Sequence, residues 1–180
     1  MTAIVERATG RLIKTISAPD DVIKLNTPEG CLAVEDKPEP NMYYQDGWVA
    51  MPAQPSPYHT FDYSTKQWID PRSLDEIKAQ KWAEIKSQRD QLEFGGFEFE
   101  DNIYDSDQVS QGRIMGAAAA GIDQVWTVRD NTTVNLTASQ LQQLYAALQA
   151  HIASVHERGR IARQLIFDAE TKEQVEAVQL

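Results

Sequence analysis

The feature that most constrains this chain is a run of apolar residues at helical spacing late in the sequence: Leu141, Leu144, Tyr145, Leu148, Ile152, Val155, Ala162 and Leu165. Such a series keeps one helix face apolar for about eight turns. The upstream elements must therefore supply surfaces that cover that face. Thr137 precedes Gln140 by three residues, the spacing of a capping box, and marks where the helix opens. A heptad-like face of this length suits either the core of its own domain or a coiled-coil-like bundle of copies. The hairpins and helices upstream need something to pack on, which favours the core.

Upstream, the stretch Arg89 to Ile114 (RDQLEFGGFEFEDNIYDSDQVSQGRI) orders helix, hairpin and helix without a gap. Gly95 and Gly96 end a helix near Leu92, because glycine reaches the left-handed backbone that a helix exit needs. Phe97 and Phe99 then face Ile103 and Tyr104 across Asp101-Asn102, as in a tight hairpin with both phenylalanines on one face. Asp105, three residues before Gln108, reads as the N-cap of a helix that carries Val109, Ile114 and the alanines 117–120. Gly112, Gly116 and Ala120 recur every fourth residue and leave that helix a bare edge. Another backbone is expected to approach closely there, so leucine at either glycine should disrupt packing.

Val125 to Arg129 and Thr133 to Leu136 flank Asp130-Asn131-Thr132, a second hairpin anchored on Trp126. Ser73 with Glu76 caps a helix running to about Leu92. Its Leu74, Ile77, Trp82, Ile85 and Leu92 fall on one arc of about 140°, which Lys78, Lys81 and Arg89 share. Thr171 with Gln174 opens a last short helix whose Val175, Val178 and Leu180 fold back.

The first fifty residues read differently. Ala3 to Glu6 and Leu12 to Ile16, Val22 to Leu25 and Cys31 to Val34, and Met42 to Tyr44 and Trp48 to Met51 are β-prone runs around Thr9-Gly10, Pro28-Glu29-Gly30 and Asp46-Gly47, three hairpins. Pro52, Pro55 and Pro57 write a stiff connection, followed by Phe61, Tyr63 and Trp68 around a Ser64-Thr65-Lys66 turn. The expected architecture is α+β. A small antiparallel β module (1–51) leads through a proline-rich linker and aromatic strand segment (52–72) to a helical domain (73–180) with two short hairpins and one long helix.

With 17 Lys and Arg against 27 Asp and Glu, the formal net charge of −10 repels phosphate backbones and anionic surfaces. Nucleic acid and membrane insertion are not expected. Cys31 is alone, and no apolar run approaches ~18 residues, so neither an internal disulfide nor a spanning helix is expected. The N-terminus lacks a signal-peptide apolar core, and synthesis in a cytoplasm is expected.

No chemistry-bearing constellation emerges. His151 and His156, five apart, point about 140° away from each other on a helix and cannot share a metal. Asp101, Asp105 and Asp107 fail the calcium-loop pattern, with Ser106 and Gly112 where glycine and glutamate belong. Neither a phosphate-binding glycine loop nor a nucleophile elbow occurs. Arg158, Arg160 and Arg163 complement the end of the long helix. No catalytic, cofactor or metal residues are therefore expected. Tyr43, Tyr44 and Trp48 are candidates for an interface or a sugar platform as well as for core, and Trp82 for an interface.

The order IKxxRD, GGF, hairpin, DSDxxSQxRI, then VWTVRDN and LTASQL, over about Thr60 to Leu180, resembles a domain of unknown function found in tailed-bacteriophage tail proteins. The N-terminal YYxDG and PSPYHTFDYSTKQW look like the variable β-rich part of tail-fibre or tail-fibre-assembly proteins. The resemblance implies a non-enzymatic virion component of a tail tip, baseplate or fibre, made in the host cytoplasm. Such a component is multi-copy or homo-oligomeric and docks on other tail proteins; the alternative is an assembly chaperone that leaves before the virion matures. Arg89, Asp90, Gly95, Gly96, Phe97, Asp105, Ser106, Asp107, Ser110, Gln111, Arg113, Ile114 and Trp126 match the motif and read as fold determinants.

Overall fold

Ala3, Ile4 and Val5 are three consecutive apolar residues, and a strand sends successive side chains to opposite faces, so their strand needs cover on both sides. In the computed structural model, which describes residues 1–36 and 38–180, that strand (β1, Thr2–Glu6) lies between β2 (Leu12–Ile16) and β3 (Cys31–Glu35) in an antiparallel sheet. All three residues are fully buried. Ala33 on the Ile4 side lines a shallow pocket with Ile23 and Thr27 of the α1 region (helix Asp20–Leu25). Leu12, paired with Val5, lies with Met42, Phe61, Tyr63 and Trp68.

Segment 22–34 is therefore not the expected hairpin. Asp20 and Asp21 suit a helix N-terminus. Asn26 Nδ2 and Thr27 Oγ1 close the helix by donating to Val22 O and Ile23 O at 2.9 and 2.8 Å. The β-prone run after them finds its partner in β1 instead.

Two further hairpins, β4 (Met42–Tyr44) with β5 (Trp48–Ala50) and β6 (Thr60–Asp62) with β7 (Gln67–Ile69), turn at the left-handed Asp46 and Lys66. Tyr43 stacks on Phe61, which also meets Tyr63 and Trp68 edge-on, with ring centroids 5.1–5.6 Å apart. Trp68 Nε1 donates to Pro52 O at 2.8 Å. These contacts draw residues 52–72 into the first compact unit, Met1–Arg72, so the segment is not a free linker. Gly10, at φ 68°, lies against the Tyr44 carbonyl too closely for any side chain.

The second unit, Ser73–Leu180, is built on α4 (Ala138–Asp168), the long helix the periodicity predicts. Its first half buries Leu141, Leu144 and Leu148 against hairpin β8 (Phe97–Phe99) with β9 (Asn102–Tyr104), α3 (Gln108–Ala120) and hairpin β10 (Gln124–Thr127) with β11 (Thr133–Leu136). Its second half buries Ala162 and Ile166 against Ile77 and Ile85 of α2 (Leu74–Phe94) and Val175 of α5 (Lys172–Glu176). Ile166 continues the face and Leu165 is 52% exposed, because 3.6 residues per turn rotates the stripe off a strict heptad. Capping boxes at Ser73, Thr137 and Thr171 form as the sequence predicts.

Three local expectations shift. Helix α2 runs to Phe94, leaving Leu92 exposed, and its C-cap Gly95 keeps a negative φ while Gly96 takes the positive one, 98°. The first hairpin of this unit turns on Glu100-Asp101, both left-handed, one residue earlier than Asp101-Asn102. Asp107, not Asp105, caps α3: its carboxylate accepts from Val109 and Ser110 N–H at 2.9 and 3.2 Å. Asp105 faces Arg129 at 4.0 Å, and Ser106, between the two aspartates in sequence, is fully buried.

The close helix approach also falls elsewhere. A methyl built on Gly112 or Gly116 meets nothing within 4 Å, whereas one on Gly159 of α4 comes 3.3 Å from Cδ of Arg89 on α2.

Four substitutions in the full chain have expected outcomes, with helical circular dichroism reporting the second unit. Ser106→Ala strands the Glu93 carbonyl and the Gly96 N–H, and urea titration should show a loss of about 1–3 kcal/mol. Gly112→Ala should gain about 0.5–1 kcal/mol, as alanine replaces glycine on an open helix face, while Gly159→Leu should lose about 1–3 kcal/mol by overpacking. The Asp107 carboxyl is held below the ordinary aspartate range, first by the Ser110 hydroxyl and then by backbone N–H groups. Its contribution is present above the unfolded value of about 3.9 and lost as pH falls through the lower folded value. Asp107→Ala should thus melt earlier than the parent at neutral pH, with the gap closing in acid; a constant gap would contradict this.

Candidate functional site

The second unit carries ten Lys and Arg, and nine of them are engaged by a hydrogen bond, ion pair, ring or other electrostatic contact. Lys78 donates to Phe167 O, Arg158 to Leu180 O and Arg129 to Gly95 O, while Arg163 lies over Trp82 at 5.6 Å. Among the described residues of this unit, Arg113 is the one cation without a hydrogen bond, ion pair or ring. It projects from the exposed side of α3 at the mouth of a cleft of about 590 Å³. One wall is α3, with Ser110, Gly116 and Ala117; the other is β10, with Gln124, Val125, Trp126 and Thr127. Asp105 and Asn131 close its ends.

The local sequence explains this gap. Gly116 and Ala117 offer no side chain to fill it, and Val125 points outward at 68% exposure while Trp126 turns inward onto the α4 core. The exposed face of α3 carries Val109, Gly112, Gly116 and Ala120, with Arg113 its single charge. On a chain of net charge −10, a helix face without an acid is conspicuous for what can approach it.

The sequence-derived site residues fall into three groups. Gly96, Phe97 and Trp126 hold the first core: a methyl on Gly96 would come 2.5 Å from Arg129 Nη1 and 3.0 Å from Tyr104 O. Gly95 gives its carbonyl to Arg129, and Asp105 and Gly116 line the cleft. Gly112 borders open space rather than a packed neighbour. The interface aromatics each have a ring or cation partner within their own unit. Tyr44 meets Trp48 edge-on at 5.5 Å, Tyr43 lies between Phe61 and Lys66, and Trp82 packs beside Lys86 and Arg163 on the second core. Sequence reasoning missed Arg113 as a free charge and Gly159 as the close approach, since neither is visible without knowing which neighbours are spent.

In the first unit, a second cleft of about 620 Å³ is lined by Leu12, Met42, Met51, Phe61, Tyr63 and Trp68 with Glu39 and Asn41. The histidines serve the fold. His151 Nε2 lies 3.0 Å from Leu92 O with its ring stacked on Phe97, and His156 Nε2 lies 2.9 Å from Glu93 Oε2. Among the described residues no group of three metal-ligating side chains converges, and no helix is long and apolar enough to cross a membrane. Burial, with Glu100 nearby, raises the phenol of Tyr104 above its ordinary value; its hydroxyl sits in the core without a protein partner.

A family described as a domain of unknown function, DUF4376, covers residues 76–179, from the first turn of α2 to the chain's last residues, and so takes in both cores and the Arg113 cleft. No curated protein and no solved structure matches the chain. With more than half of its length inside that match, the chain belongs to the DUF4376 family.

Proposed function

We propose that this protein is a structural docking component of a bacteriophage tail, at the tip, baseplate or fibre, and acts through protein–protein contact rather than catalysis. The observation that carries the docking reading is the face made by α3 and β10. It is exposed, nearly free of charge, notched by a cleft, and furnished with glycines where an added methyl would meet nothing within 4 Å. Glycine inside a helix costs about 1 kcal/mol relative to alanine, and nothing within this unit uses the space that these two leave open. A surface kept flat at that cost suits a partner.

Assignment to a tail rests on the motif order from IKxxRD through DSDxxSQxRI to LTASQL, which resembles the C-terminal domain of phage tail proteins and lies almost wholly in the family match. The acidic surface supports the same reading, because self-repulsion keeps such a component dispersed before it is incorporated.

Quantitative mass spectrometry of purified particles tests this. Presence at a copy number that fits the rotational symmetry of the tail is the expected result. Absence from particles, with recovery in complex with fibre protein from infected cells, would make the protein an assembly chaperone instead. Absence from both would overturn the tail assignment.

A further inference from the structure

Strand β10 has one neighbour, β11, so its other edge carries main-chain groups with no strand beside them. Val128 N–H donates to Thr132 O at 2.9 Å, and antiparallel pairing repeats this inward bonding at every second residue. Trp126 and Gln124 therefore bond towards β11, opposite Val134 and Leu136, while Val125, Thr127 and Arg129 turn their N–H and C=O groups outward. Arg129 is already engaged on that side: its N–H donates to Ile103 O of β9 at 3.0 Å. One residue past Tyr104 the chain leaves this edge at Asp105 to begin α3, and beside Val125 and Thr127 the cleft opens. An edge ladder is thus started within the fold and left unfinished.

We propose that this cleft receives an extended segment of a partner polypeptide, which adds to the free edge of β10 and sets a carboxylate side chain on Arg113. The inference rests on the docking reading and names its surface. The occupant is a polypeptide because Val125 and Thr127 offer main-chain donors and acceptors in the alternation that an added strand matches. It bears a carboxylate because Arg113 is the unspent cation of the unit and its planar guanidinium suits that group. The net charge of −10 disfavours a polyphosphate in its place. Asp105, itself 4.0 Å from Arg129, lies in the same cleft and fixes polarity, with the acidic residue of the segment towards Arg113 and away from Asp105. The four residues of β10 span about 13 Å, room for roughly four residues of an added strand. Gly116 keeps the opposite wall flat enough to admit it.

The test uses the full chain and three capped peptides: acetyl-Ser-Val-Glu-Val-Ser-amide, its glutamine counterpart, and the glutamate peptide with alternate backbone nitrogens methylated. Amide NMR with hydrogen exchange at millimolar peptide is expected to show protection of Val125 and Thr127. The glutamate peptide should bind about tenfold more tightly than the glutamine one, and the methylated peptide should not bind. Arg113→Gln should erase the preference for glutamate while leaving the weaker mode intact. Gly116→Leu should block both modes with helical circular dichroism unchanged. Equal affinity for the two charged states, binding by the methylated peptide, shifts confined to other surfaces, or no shift at all would each overturn the proposal. Those results leave the tail assignment standing if the protein is found in particles; loss of the tail assignment alone leaves the edge site intact.

Discussion

The hydroxyl of Ser106 is the contact on which the second unit depends. It donates to Glu93 O at 2.5 Å and accepts from Gly96 N–H at 2.9 Å, so one buried side chain satisfies a last-turn carbonyl of α2 and the amide that follows it. A helix end leaves such groups without intrahelical partners, and burying them bare is costly. Gln111 of α3 adds a bond to Ser106 O at 2.9 Å, and Arg129 donates to the Gly95 carbonyl. The end of α2, the exit of β9, the start of α3 and the tip of hairpin β10–β11 are thereby tied within a few residues. Gly96 must be glycine for the same reason: its positive φ and the crowding by Arg129 and Tyr104 leave a side chain no place.

With that knot set, packing on α4 follows from pattern. Leu141, Leu144 and Leu148 meet the hairpins and α3, while Ala162 and Ile166 meet α2 and α5. The face changes from leucine to small residues along its length because its neighbours change. Hairpin side chains need bulk to reach, whereas α2 crosses close enough for Arg89 to lie over Gly159. Lys78 bonding Phe167 O at one end and His156 meeting Glu93 at the other show that α2 runs antiparallel to α4.

Much of this was legible in the sequence, and the exceptions share a cause. Capping boxes at Ser73, Thr137 and Thr171, the hairpins around Asp46-Gly47 and Asp130-Asn131, and the α+β composition all follow from local chemistry, where a side chain bonds its own neighbourhood. The errors arose where two local readings competed and a distant contact chose between them. Asp105 and Asp107 both suit an N-cap, and the choice fell to Ser106, which turns inward to Glu93 and so hands the cap to Asp107. Residues 22–25 suit strand or helix, and the pairing of β1 with β3 removed their expected partner. Gly112 and Gly116 have the spacing of a contact stripe and Gly159 has none, yet only Gly159 lies against another helix. Arg113 was legible as a charge but not as a free one, because freedom is a property of every other residue's partners.

Because α4 enters one core with its first half and the other with its second, it acts mechanically as a strut. Its 31 residues extend about 46 Å without a joint. Tension applied at hairpin β10–β11 is carried along a column of parallel backbone hydrogen bonds to the second core, where α2 packs on α4, and no loop interrupts the helix between the two cores. A domain built this way transmits displacement between its ends instead of absorbing it.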